Sequence, residues 1–95
     1  MARLNWTEQS IDDLNNIADF IAKDSVKYSL IQIIRIRERA KLLVKFPKLG
    51  RIVPEIKDPS VHELILGNYR IIYKIISKDR IDILTIHHSS KLLRI

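Results

Sequence analysis

The sequence predicts an α+β domain in which a short N-terminal strand and an antiparallel helical hairpin pack on a small antiparallel sheet, in the order β-α-α-β-β-β. Three observations carry this. Apolar residues recur at helical spacing in two blocks before Pro47. After Ser60 the pattern changes to runs of strand length rich in Ile, Leu, Val and Tyr. Cap and turn residues stand at the junctions between these blocks.

Residues 3–6 form the expected first strand. Thr7 is placed to cap a helix, with Glu8 near the positive end of its dipole. Ile11, Leu14, Ile17, Ala18 and Ile21 make the apolar stripe of that helix, and Asp12, Asp13, Asn15 and Asn16 fall off it, toward water. Ser25 caps a second helix whose apolar face is Ile33, Ile36, Ala40, Leu43 and Val44. Arg35, Arg37, Arg39 and Lys41 make the rest of it basic, while Leu30, Ile31 and Ile34 widen its apolar surface beyond one stripe, as contact with a second surface would require. Pro47 ends this helix, because proline lacks the N–H donor and disfavours helix in the residue before it.

Val61–Leu66, Tyr69–Ser77 and Arg80–His88 read as a three-stranded meander, joined at its edge by residues 3–6. Gly67-Asn68 suits a two-residue hairpin turn and Lys78-Asp79 occupies the next one. Two-residue loops fix the expected pairing: Leu64 opposite Ile71, Glu63 opposite Ile72, Tyr73 opposite Leu84, and Arg70 opposite His87. Side chains alternate between faces. One face then carries Leu64, Leu66, Ile71, Tyr73, Ile75, Leu84 and Ile86 as core. The other carries Glu63, Ile65, Arg70, Ile72, Lys74, Thr85 and His87. A purely solvated face has no need of Ile65, Ile72 and Ile83, so this mixed face is expected to be partly covered, by a partner peptide or a substrate.

Composition narrows the function. The 95 residues are one domain's worth, taken as 1–95, and 46% of them are apolar, enough to fold alone. No apolar run is long enough for a membrane span, and the start lacks the pattern of a signal peptide. There is no cysteine, which excludes a disulfide scaffold and fits the cytoplasm. Two glycines leave no glycine-rich phosphate loop, and no cofactor or metal is expected. The net charge of +6 suits an acidic partner, either nucleic acid or protein.

Several segments together carry a family likeness. They are Leu4-Asn5-Trp6-Thr7-Glu8, Asp13-Leu14, and Ile17 to Ile21; Phe46 to Glu55, with its FP-x-x-GR-x-VPE pattern; His62-Glu63-Leu64; Gly67 to Tyr73; and Ile83 to His88. In this order and spacing they resemble the RelE/ParE superfamily of toxins from type II toxin–antitoxin systems, from Leu4 to about Leu93. The resemblance implies a β-α-α-β-β-β domain and a cognate antitoxin whose tail lies across the toxin. It also admits a homodimer or a heterotetramer with the antitoxin.

The superfamily divides by target, and the fold does not choose between the branches. RelE-like members cleave messenger RNA on the ribosome, and ParE-like members inhibit DNA gyrase. A metal-independent ribonuclease needs a base for the 2′-hydroxyl, cations for the phosphate and an acid for the leaving oxygen. By motif position Glu55 or Glu63 is the candidate base, Arg70 with Arg51 the candidate phosphate holder, and His87 or His88 the candidate acid. Neighbouring strand residues diverge, so one histidine at most faces a given cleft. The pairing favours His87, and the family's position aligns with His88. Under a binding role, Arg51, Arg70, Lys74, Ile65 and Ile72 are the candidate contacts to phosphate or antitoxin. Glu63 paired with Arg70, and Glu55 beside Lys57, are the plain structural alternatives. The chain lacks a dense basic cluster around this site, and Ser89-Ser90-Lys91 stands where many relatives carry glycine and basic residues. The GR-x-VPE and GNYRIIY segments look closer to ParE. Gyrase inhibition is therefore the leading expectation, with ribosome-dependent cleavage of messenger RNA second and a non-toxic nucleic-acid-binding module third.

Overall fold

A computed structural model describes residues 2–88, so the segment 89–93 of the family likeness lies outside the described residues. β1 (Arg3–Trp6) leads into α1 (Glu8–Ala22), and the link Lys23-Asp24-Ser25 turns the chain into α2 (Val26–Lys41). A 3-10 turn, Leu42–Val44, carries α2 almost to Pro47. The rest is β2 (Arg51–Ile52), β3 (Val61–Leu66), β4 (Tyr69–Ser77) and β5 (Arg80–His88). All five strands form one sheet in the order β1-β5-β4-β3-β2. β1 runs parallel to β5, and every other pairing is antiparallel. The expected α+β class and helical hairpin are those observed. The addition is β2, which at two residues is too short to leave a periodic signal.

Both helix caps act as the sequence implies. Thr7 Oγ1 accepts from the backbone N–H of Ser10 at 3.2 Å, and Ser25 Oγ accepts from that of Tyr28 at 3.0 Å. The Thr7 hydroxyl also donates to the Ile83 carbonyl at 2.7 Å, which ties the start of α1 to β5. Between the helices, buried Ser29 donates to the Ala18 carbonyl at 2.7 Å.

The main core lies between the helices and one face of the sheet. Leu14, Ile36, Ala40 and Leu43 meet Leu64, Leu66, Ile71, Tyr73, Ile81, Ile83 and Ile86 there. A second, smaller cluster occupies the opposite face, where Val53, Val61 and Ile72 pack with Ile56 and Leu84. The alternation of Ile71, Ile72 and Tyr73 along β4 is what separates the two.

Four sequence expectations are corrected here. Tyr73 opposes Ile83 rather than Leu84, because the register shifts between Ile72 and Tyr73. That one-residue irregularity sends Ile83 into the main core and Leu84 to the other face. Asp13 does not simply face water: its carboxylate accepts from the Thr85 hydroxyl and from the Ile86 backbone N–H. Ile11, placed in the buried stripe, is exposed. Finally, the cover over the mixed face is in part the chain itself, since Val53 and Ile56 lie on Ile72.

Candidate functional site

Four charged side chains join on the sheet face away from the helices. Arg51 of β2 stands opposite Glu63 of β3, and Arg70 of β4 is the diagonal neighbour of Glu63. Each oxygen of Glu63 is engaged by a different arginine, Oε2 by Arg51 Nε and Oε1 by Arg70 Nε, both at 2.5 Å. The terminal nitrogens of Arg70 then clasp Glu55 at 2.8 and 2.9 Å. Burial is graded along this chain of ions. The Glu63 side chain is 0% exposed and that of Arg70 12%, whereas Glu55 and Arg51 reach 47% and 69%. A carboxylate so buried is tolerable only when fully paired, and these two guanidiniums supply that pairing.

The GR-x-VPE segment builds this arrangement residue by residue. Gly50 lets the chain press against β3: a Cβ there would lie 2.2 Å from the Glu63 carbonyl oxygen. The Gly50 N–H donates to the Tyr73 hydroxyl at 3.0 Å, and that hydroxyl donates to the Pro47 carbonyl at 2.7 Å. Burial pushes the Tyr73 phenol above its ordinary range. Arg51 meets Glu63, Val53 plugs the second apolar cluster, and Glu55 reaches Arg70. Lys74 pairs with Asp58 at 3.4 Å, while the hydrogen bonds from Ser60 are the main reason the Asp58 carboxyl sits below its usual range.

The histidines part company. His87 opposes Arg70, with Ile65 on the far side of Arg70, so these three form one row across the sheet. His88 opposes Tyr69 and meets its ring edge-on at 5.4 Å, on the other face. The structure thus groups His87, not His88, with Arg70. His62 is buried within β3 and stacked on Tyr73 at 5.5 Å. Ile65 is exposed. Ile72, expected as a contact residue, is fully buried beneath Val53 and Ile56 and offers a partner no surface.

Sequence reasoning passed over two acids that the fold uses. One is Asp13 at β5. The other is buried Asp82, which Arg80 grips with Nε at 2.8 Å and a terminal nitrogen at 3.0 Å, and to which Asn5 donates at 3.2 Å. Their signal was absent because each partner is more than seventy residues away or on the same strand.

The chemistry available follows from the pairing. The hydrogen bonds from Arg70 pull the Glu55 carboxyl from 4.5 down to about 2. A base that weak is poorly matched to proton abstraction near neutral pH. Glu63 has no exposed surface and both oxygens taken. Among the described residues no three metal-ligating side chains converge, and no helix is long and apolar enough to cross a membrane.

Comparison with known proteins agrees with this architecture. Over residues 4–93 the chain matches the family described as the ParE toxin of type II toxin-antitoxin system, parDE. Among solved structures it is similar to a chain of the chromosomal ParDE TA system from P. aeruginosa, with a TM-score of 0.77 and 26% sequence identity, covering 93% of this chain and 96% of that one. No curated protein matches it. With the family matched over residues 4–93, the chain belongs to the ParE toxin family.

Proposed function

We propose that this chain is a toxin that acts in the cytoplasm by binding DNA gyrase, without hydrolytic chemistry of its own, and that a cognate antitoxin neutralises it. The observation that carries the reading is the state of the two candidate bases. Glu63 is buried between Arg51 and Arg70, and Glu55 is clasped by both terminal nitrogens of Arg70. The same pairing occupies the cation that would hold a scissile phosphate, so the ion network acts as scaffold for the sheet face. Similarity to a ParDE chain supports an antitoxin as partner. The exposed line Val26, Leu30 and Ile34 on the outside of α2 is the apolar surface available for it or for a second copy.

Expression of the chain alone in a bacterial host tests this. DNA synthesis is expected to stop before translation, with messages intact, and the purified protein to inhibit supercoiling by gyrase. Early loss of translation with cleaved messages would overturn the gyrase target in favour of ribosome-dependent cleavage.

A further inference from the structure

The positive charge of the chain is not spread evenly. Between residues 35 and 49 stand Arg35, Arg37, Arg39, Lys41, Lys45 and Lys48, against Glu38 as the one acid. The stretch from Glu8 to Asp24 is the reverse, with Lys23 as its one cation among five acids. The two helices therefore present opposite potentials, and nearly all of the +6 excess sits on the second half of α2 and the turn that follows.

This basic ridge is open to solvent and carries apolar side chains at one end. Arg35, Arg37, Lys41, Lys45 and Lys48 are exposed, and the ion pair of Lys41 with Glu38 is itself exposed on both sides, so it holds little of the charge back. Leu42, Phe46 and Leu49 follow at helical spacing and are exposed, Phe46 at 57%. Phe46, Pro47, Lys48 and Leu49 line a surface cavity of about 460 Å³. A second, of about 380 Å³, lies between Arg35, Glu38, Arg39, Leu42 and Leu66. The backbone N–H of Phe46 donates to the Leu42 carbonyl at 2.9 Å, which sets the two apolar side chains one turn apart.

We propose that this ridge is a contact surface for duplex DNA, with the cations on phosphates and the Phe46-Pro47-Lys48-Leu49 tip set against a base step. Arg35 and Arg39 stand on one flank of α2 and Arg37 and Lys41 on the other, and Lys45 and Lys48 follow past the end of the helix. Cations on both flanks of one helix suit a partner that is uniformly charged and wide enough to straddle it, whereas an acidic protein segment places carboxylates at a few positions. The apolar residues at the C-terminal end of the ridge include Phe46, Pro47 and Leu49, and Phe, Pro and Leu are side chains that wedge between base steps in the minor groove. Cations alongside supply the phosphate contacts such a wedge needs. The acidic α1 would repel a duplex, so of the two helices α2 is the one suited to lie on DNA. The inference concerns DNA alone and stands whether or not gyrase is the target.

The test uses the whole chain and a fluorescently labelled duplex of about 20 base pairs, followed by anisotropy between about 50 and 200 mM salt. Binding is expected at low salt and to weaken steeply as salt rises. The double variant Lys45→Gln with Lys48→Gln is expected to lower the slope of log affinity against log salt by about 0.9 per cation removed. Lys23→Gln, at the far end of the hairpin, is expected to leave that slope unchanged. Phe46→Ala is expected to keep the slope and to reduce bending, read by energy transfer between dyes on the two duplex ends. Circular dichroism confirms that each variant is folded. Absence of duplex binding at low salt overturns the proposal, as does an unchanged slope in the double variant. Binding of a polyglutamate peptide without binding of the duplex also overturns it, and assigns the ridge to an acidic protein instead.

Discussion

Gly50 sits directly against the backbone of Glu63: a Cβ placed on it would stand 2.2 Å from the Glu63 carbonyl oxygen and 2.9 Å from the Tyr73 hydroxyl. Nothing there can yield cheaply, since the first obstacle is main chain within the sheet. Gly50→Ala is therefore expected to destabilise the fold at the upper end of the overpacking range, about 3 kcal/mol. In a domain of this size that corresponds to a fall in Tm of about 12–24 °C, measurable by thermal unfolding. A shift of only a few degrees would mean that the segment 47–52 packs elsewhere.

Tyr73 offers a gentler probe of the same contact. Its hydroxyl both accepts from Gly50 N–H and donates to the Pro47 carbonyl. Tyr73→Phe keeps the ring in the core and strands both partners, which predicts a loss of about 1–3 kcal/mol in chemical denaturation. Since the loss comes from anchoring the loop, Arg51 should become more accessible to modification of its guanidinium.

Glu55 separates the binding and ribonuclease readings. Its side chain is 47% exposed, so Glu55→Gln is expected to cost little stability. A toxin that works by binding gyrase should keep most of its growth arrest in that variant. Loss of arrest in a folded Glu55→Gln protein, with message cleavage lost in parallel, would return Glu55 to a catalytic role.

The same residue predicts a pH dependence. Arg70 stabilises the ionised form, so the Glu55 carboxyl titrates near 2 in the folded chain and near 4.5 when free of the contact. The unfolded chain then binds the proton more readily, and the contribution of this pair is complete above about pH 4.5 and disappears as the pH falls toward 2. Melting temperatures recorded across that interval should fall less steeply for Glu55→Gln than for the parent. Parallel curves would show that the pair contributes nothing to acid sensitivity.

Asp13 guards an exposed edge. β1 pairs with β5 only as far as Ile83, and beyond it the N–H of Ile86 is taken by the Asp13 carboxylate at 3.0 Å. Asp13→Ala should cost about 1–2 kcal/mol and expose an edge that invites pairing with another chain. Faster amide exchange at Ile86 and a rise in light scattering on storage are the measurements that check it.

How far the sequence reveals this molecule depends on the range of each interaction. Thr7 and Ser25 cap helices through residues three positions away, and Gly67 turns the chain at a φ of 57°, so local pattern finds them. The alternation in β3 and β4 placed Glu63, Arg70 and His87 on one face correctly because both neighbouring loops are short. Leu84 and Ile83 were exchanged because a bulge leaves no mark in hydrophobic periodicity. Ile72 looked like a binding residue because its cover comes from Val53 and Ile56, in a stretch with neither helical nor strand period. Glu55 was legible as a motif residue, but its bond to Arg70 crosses fifteen positions of irregular chain and needed the fold to be seen.

The parallel pairing of β1 with β5 also sets an order of events. Arg3 lies beside Arg80, and Trp6 beside Ile83, so β1 waits for β5, more than seventy residues further along. Loop closure over so long a separation is entropically costly and is deferred until the β3–β4–β5 meander exists to receive β1. A nascent chain on the ribosome can form its helical hairpin early, yet it cannot seat Thr7 on the Ile83 carbonyl until β5 has emerged. Closure of the sheet thus follows the synthesis of β5, with Arg3–Trp6 acting as the clasp.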